Sequence, residues 1–126
     1  MTSVQTESVA PSAAEVQDRV ASLRRIKVFA DLPEDQLRWF AERTIERKLI
    51  AGEVLFRRGD PPRWMAIYIE GEVHAMRDET QFDGAVFIAR ADDPVTQVSG
   101  MLPFSRMTEY PSTGRAVMDT RVLLSR

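Results

Sequence analysis

The side chains best suited to proton transfer or metal binding lie close together in this chain, around Gly71. His74 is the single histidine, and Glu70 and Glu72 stand on either side of the glycine. At i and i+2 on a strand the two carboxylates would face one side, an arrangement that suggests acid–base catalysis. A carboxylate pair at a strand turn is more often a solvated edge, and one histidine needs further strong ligands to hold a metal. We therefore predict that all three are structural or surface residues.

A second group of candidates is basic. Arg57, Arg58 and Arg63 surround the Gly59-Asp60 pair. Such a cluster could meet a partner or a phosphate, but exposure to solvent beside Asp60 is the commoner role. We predict surface arginines here. Three aromatic residues are predicted to be core or interdomain residues and not a platform for stacking bases: Trp39, Phe40 and Trp64.

Composition narrows the possible functions. The chain has 126 residues, of which 44% are hydrophobic and 29% charged, as in one ordinary globular domain. It has no cysteine, which excludes disulfides, thiolate metal sites, iron–sulfur clusters and cysteine nucleophiles. The net charge of −2 argues against direct nucleic-acid binding.

Enzyme motifs and targeting signals give no positive indication. We find no Ser/His/Asp pattern, nucleotide-phosphate loop or zinc pattern, so we predict that the protein is not an enzyme. No apolar run is long enough to span a membrane, and the N-terminus lacks the features of a secretory signal. We predict a cytoplasmic protein with no membrane insertion.

The N-terminal third of the chain is predicted to be helical after a flexible segment over residues 1–12. Apolar residues then recur three or four positions apart, which indicates one face of a helix starting near Ala13. Pro33 suits the first turn of a second helix because its missing N–H is not needed there. The two buried stripes are predicted as Val16, Val20, Leu23 and Ile26, and as Leu37, Phe40 and Ala41.

From Arg47 onward the pattern changes to short strands separated by turns. Gly52, Gly59 and Gly71 each stand at the edge of an apolar run, where glycine usually supplies a positive φ or a close approach. Between them, apolar residues recur at every second position, as half-buried strands require. These residues are Val54, Phe56, Met65, Ile67 and Ile69. The pattern predicts a small β-roll behind two helices.

The order of these features resembles the cyclic-nucleotide-binding domain family. The matching features are a helix followed by "LPEDQL" from Leu32 to Leu37, then Gly52, the Gly59-Asp60 pair, and Gly71 followed by Glu72 and Val73. The resemblance implies a mainly β fold with N-terminal helices, a double-stranded β-helix or jelly-roll-like β-roll. It implies one such domain over residues 13–126, without the C-terminal lid helices that the family usually carries.

Family members that bind cyclic nucleotides carry a phosphate-binding cassette between two strands. In that cassette a Gly-Glu pair opens a short helix, and an arginine follows ten residues after the glycine. Aligning the segment from Ser99 to Leu124 puts Gly100 at the glycine, Met101 at the glutamate and Tyr110 at the arginine. The spacing is kept, but neither diagnostic charge is present. Methionine cannot accept a ribose hydroxyl as a carboxylate does, and tyrosine offers one neutral donor in place of a guanidinium.

The run "GMLPFSRM" also resembles a variant cassette in N-terminal sensor domains of bacterial histidine kinases. The two resemblances imply ligand contacts from six residues: Gly100 and Leu102 through backbone N–H groups, Arg106 to an anion, and hydroxyls of Ser105, Ser112 and Thr113. A turn-rich loop explains "YPSTG" equally well. Arg106 or Arg115 could replace the missing arginine, although a solvated surface role is the commoner one.

These observations predict a non-catalytic sensory or regulatory module with an altered ligand site, the input domain of a larger bacterial signalling protein. Its partner would be an output domain or another protein, and it could form a homodimer. No cofactor is assigned, and the ligand would be a cyclic nucleotide or another small anion. Two alternatives stay open. One is a functional cyclic-nucleotide receptor, and the other is the sensor part of a transcription factor whose DNA-binding part is not in this chain.

Overall fold

The structure, a computed structural model, describes residues 10–77, 85, 87–100 and 108–125. The chain divides into two compact units, one up to Ile45 and one from Glu46 onward. Residues 101–107 of the predicted cassette lie outside the described residues, among them the candidates Met101, Leu102, Ser105 and Arg106.

From residue 10 onward, where its description begins, the first unit contains two helices, α1 over Ala13–Arg24 and α2 over Glu34–Glu42. Ser12, the last residue of the predicted N-terminal segment, caps α1: its Oγ accepts from the Glu15 N–H at 3.1 Å, and its own N–H donates to the Glu15 carboxylate at 2.7 Å. This reciprocal capping box fixes the start of the helix. The hydrogen bonds from Ser12 also lower the pKa of Glu15.

Most of the predicted helical stripes are buried, namely Val16, Val20, Leu23, Ile26, Leu37 and Ala41. Phe40 is only half-buried and stacks on Phe29, with ring centroids 5.4 Å apart. Trp39, predicted to be a core or interdomain aromatic, is not a core residue, because 58% of it is exposed, and the interdomain alternative stays a prediction. The stripe at positions 37 and 41 faces inward, which leaves position 39 on the solvent side of a helix with 3.6 residues per turn.

The described residues of the second unit form eight strands in two antiparallel sheets, and the first strand begins one residue earlier, at Ile45. The strands are β1 (Ile45–Leu49), β2 (Val54–Phe56), β3 (Met65–Glu70), β4 (Glu72–Met76), β5 (Phe87–Arg90), β6 (Val98–Gly100), β7 (Thr113–Ala116) and β8 (Thr120–Ser125). The first sheet has the order β1-β8-β3-β6, and the second has the order β2-β7-β4-β5.

The two sheets pack face to face around one apolar cluster. Its buried members are Ala66, Tyr68, Val73, Ala89, Val122 and Leu124. Strand β3 lies deeper than its alternation predicted: Ile67 is fully buried, and so is Tyr68 on the other side of the strand. The half-buried interpretation of this strand was therefore wrong, because the central strand is covered on both faces.

The three predicted glycine hinges are confirmed. Gly52, Gly59 and Gly71 have φ values of 95°, 93° and 93°, in the region that side chains rarely adopt. Gly71 also permits a close approach, since a Cβ there would lie 2.5 Å from the Asp119 carbonyl oxygen. This residue joins β3 of the first sheet to β4 of the second, so it sets the point where the chain changes sheets.

Candidate functional site

The predicted cassette leaves from β6 and returns at β7, at one end of the roll. Gly100, the last residue of β6, pairs with Met65 at the start of β3. Thr113, the first residue of β7, pairs with Met76 at the end of β4. Since β3 and β4 meet at Gly71, these pairs lie at the opposite end of both sheets. We call the end marked by Met65, Gly100, Met76 and Thr113 the cassette end.

One row of residues crosses the inner face of the second sheet near the cassette end. Phe56 pairs with Gly114, Gly114 with Ala75, and Ala75 with Phe87. The two central positions are small, whereas the edge positions carry phenyl rings. A Cβ at Gly114 would lie 2.5 Å from Cζ of Phe56, so this ring lies directly over the glycine. Phe87, at the other edge, is 38% exposed.

Tyr110 extends this aromatic row. Its ring stacks on Phe56, with centroids 4.6 Å apart and 28° between the planes. Its backbone is held by two hydrogen bonds of 2.9 Å, from Tyr110 N–H to the Asp60 carbonyl and from Gly59 N–H to the Tyr110 carbonyl. Burial raises the pKa of Tyr110, and the negative charge of Asp60 raises it further. Where the sequence alignment expects an arginine, the structure holds a neutral ring.

A partly buried pair of hydroxyls lies on the inner face of the first sheet. Tyr68 is fully buried, and its phenolic oxygen accepts a hydrogen bond of 2.9 Å from Ser99 Oγ. Ser99 pairs with Ala66, a member of the core, and directly precedes Gly100. Burial raises the pKa of Tyr68, and the hydrogen bond from Ser99 offsets part of this rise. The phenol therefore stays protonated at physiological pH.

The predicted hydroxyl contacts, Ser112 and Thr113, are buried at the cassette end, with 5% and 7% of each residue exposed. Thr113 Oγ1 already accepts from the Arg58 N–H at 3.0 Å. Because Thr113 alternates with Gly114, whose face meets the core, its side chain lies on the outer face of β7. The structure thus brings Gly100, Ser112 and Thr113 to one end of the roll, and their role in binding stays a prediction.

Arg115 also lies on the outer face of β7. It pairs with His74, one position away from the inward-facing Gly114. Its guanidinium Nη1 donates to the Gly52 carbonyl at 2.9 Å. An arginine in this position is directed away from the inner surface of the roll.

The carboxylates around Gly71 do not form one pair. Glu70 bonds Arg121 of β8 at 2.6 Å, in the first sheet, whereas Glu72 belongs to the second. Glu72 accepts from His74 Nε2 at 2.5 Å and from Arg90 Nε at 3.2 Å. The hydrogen bond from His74 lowers the pKa of Glu72. Because the chain changes sheets at Gly71, Glu70 and Glu72 belong to different sheets. The prediction that the two carboxylates face the same side of one strand was therefore wrong.

Among the described residues, no group of histidine, cysteine, aspartate or glutamate side chains could hold a metal ion. Within the same ranges, no helix is long and apolar enough to cross a membrane. Sequence reasoning missed Tyr68, Ser99 and Phe87 as residues of the site. The sequence shows the alternation of apolar residues around Tyr68. Only the pairing of the strands, however, shows that Tyr68, Ser99 and Phe87 lie towards the cassette end.

No family model and no curated protein matches the chain. The chain does match solved structures. One is the regulatory subunit of a cAMP-independent protein kinase A from Trypanosoma cruzi bound to guanosine, with 17% identity, a TM-score of 0.70 and coverage of 89% of this chain. Another is the regulatory domain of Toxoplasma gondii PKA with cAMP, with 18% identity, a TM-score of 0.66 and 91% coverage.

The sensor domain of the transcriptional regulator DNR from Pseudomonas aeruginosa is similar too. The identity is 18%, the TM-score is 0.67, and the match covers 86% of this chain and 71% of that domain. The chain spans only 39% of the Trypanosoma subunit and 42% of the Toxoplasma domain. The chain therefore has the β-roll fold of cyclic-nucleotide-binding regulatory domains, and the predicted fold class is confirmed.

Proposed function

We propose that this chain is a non-catalytic regulatory module that binds a small ligand at the cassette end of its β-roll. The ligand's ring would lie against the aromatic row of Phe56, Tyr110 and Phe87, and its polar groups would meet Ser99 and the cassette backbone. Proteins with this fold that hold cAMP or guanosine support a ligand of nucleoside size. Binding would be relayed to an output domain or a partner protein.

The observation that carries this proposal is the chemistry of the inner surface at the cassette end. The described residues there are aromatic rings and the partly buried hydroxyl of Ser99, which is bonded to the interior Tyr68, whereas Arg115 lies on the outer face. Of the two arginines that could replace the missing one, Arg115 is therefore poorly placed for a phosphate on the inner surface, and Arg106 stays the candidate from the sequence. This supports the altered site and argues against the receptor alternative that uses Arg115.

The energetic consequence is large enough to measure. A charge-assisted hydrogen bond contributes about 1.5–3 kcal/mol, or about tenfold to more than a hundredfold in affinity. Without a glutamate for the ribose and an arginine at position 110, a cyclic phosphate loses its usual advantage over an uncharged nucleoside. The guanosine-bound Trypanosoma subunit supports the view that this fold accommodates a ligand without a phosphate.

A thermal-shift titration tests the proposal. Adenosine, guanosine, cyclic AMP and cyclic GMP are compared on the wild-type protein, because a ligand at a hundred times its Kd adds about 2.7 kcal/mol of stability. We expect a nucleoside to bind within about tenfold of its cyclic phosphate, and Ser99→Ala to weaken both. Val95→Ser, at an exposed apolar position away from the site, is the matched control.

Two results would overturn parts of this account. No shift with any of these ligands at millimolar concentration would refute a nucleoside-sized ligand. A preference of more than about a hundredfold for a cyclic nucleotide, abolished by Arg106→Ala, would instead establish the receptor alternative.

A further inference from the structure

The helical unit carries an apolar groove that the ligand site does not use. The groove encloses about 450 Å³, and it is lined by Phe29, Leu32, Asp35, Gln36, Trp39 and Phe40. Asp35 and Trp39 are one helical turn apart on α2, so both face the groove.

Two contacts from Arg43 fix the position of the exposed Trp39. The guanidinium of Arg43 lies 4.0 Å from the centroid of the indole ring, and its Nη1 donates to the Trp39 carbonyl at 2.7 Å. These contacts restrain a tryptophan that remains 58% exposed. A large aromatic residue that is ordered before binding loses little conformational entropy on contact, which is a property of binding hot spots.

The charge at the groove indicates what kind of partner fits. The neighbouring carboxylate of Glu34 is paired with both Arg24 and Arg38, at 2.8 and 3.2 Å. The carboxylate of Asp35 has no hydrogen bond or ion pair to any side chain in the described part of the protein. The groove therefore combines an apolar floor with one exposed carboxylate that no side chain pairs with in the described part of the chain.

From this combination we propose that the groove binds an amphipathic helix of a partner protein, with apolar anchors on one face and a lysine or arginine that meets Asp35. Helices recognised in grooves present apolar residues at i, i+3 or i+4, and i+7. The basic residue sets the orientation of the helix, since an acidic residue in its place would repel Asp35. This site is independent of the ligand proposed for the roll.

Two synthetic helical peptides of about four turns test the proposal. Both carry the same leucine and phenylalanine anchors, and they differ by lysine or glutamate beside the anchor face. Binding is measured from the anisotropy of a labelled peptide with the full chain. We expect the lysine peptide to bind about fivefold more tightly than the glutamate peptide, consistent with a partly exposed ion pair of about 1 kcal/mol.

Variants make the result specific. Asp35→Asn should remove the difference between the two peptides, and Trp39→Ala should weaken both by at least about tenfold. Val95→Ser, the matched exposed control in the other unit, should change neither. Three outcomes would overturn the proposal. They are no binding of either peptide at millimolar concentration, binding insensitive to Trp39→Ala, and a dimer of the free protein that Trp39→Ala dissolves.

Discussion

Replacing Gly114 with alanine tests how tightly the aromatic row is built. Gly114 does not need a positive φ, so the effect of a methyl group is steric. The new Cβ would lie 2.5 Å from Cζ of Phe56. The Phe56 ring would therefore have to move and would lose its stacking contact with Tyr110. Overpacking costs about 1–3 kcal/mol, and an aromatic pair contributes about 0.5–1.5 kcal/mol. We expect Gly114→Ala to lower the free energy of unfolding by about 2–4 kcal/mol.

Urea unfolding followed by Trp64 fluorescence measures this loss. Trp64 packs on the core of the roll, and Trp39→Phe removes the signal of the other tryptophan. In a Phe56→Leu background the overlapping ring atoms are absent, so Gly114→Ala should cost less than about 0.5 kcal/mol. An equal cost in both backgrounds would refute the packing described for Phe56 and Gly114.

Three further changes have defined outcomes. Gly71→Ala should destabilise the protein by about 3 kcal/mol or more in urea unfolding, because the new Cβ overlaps a backbone carbonyl and the residue has a positive φ. Gly52→Ala has only the strain of the positive φ and should cost about 1 kcal/mol. Burial raises the pKa of Tyr68 above its usual 10.0, so the stability that the neutral phenol contributes is present below pH 10 and is lost as pH rises through the folded pKa. Unfolding free energies between pH 8 and 11 should therefore fall more steeply in the wild type than in Tyr68→Phe. Ser22→Ala should stabilise by about 1 kcal/mol in thermal unfolding, because the buried Ser22 hydroxyl has no partner among the described residues; a loss would contradict this.

Local patterns were sufficient to predict the elements of the fold. The three glycines between apolar runs were expected to have positive φ, and all three do. The helix start at Ala13 is confirmed, whereas Pro33, predicted in the first turn of the second helix, is its N-cap, one residue before the helix begins. By contrast, strand β3 was predicted as half-buried, because alternation reports a strand but not how many of its faces are covered.

Only the outline of the proposed ligand site could be predicted. The spacing from Gly100 to Tyr110 indicated where a cassette would lie, and the loss of two charges was visible in the sequence. The sequence could not show that Ser99 reaches Tyr68 or that Phe87 lies in register with Gly114, because both depend on pairing between distant strands. It also placed Glu70 and Glu72 on one face, since it did not account for the change of sheet at Gly71.

The most direct test of the proposed site is an NMR titration of the labelled protein with guanosine and with cyclic AMP. The account predicts backbone amide shifts at Ser99, Gly100, Tyr110 and Ser112, with guanosine effective without a phosphate. Shifts confined to the outer face around His74, or no shifts with either compound at millimolar concentration, would contradict a ligand site at the cassette end.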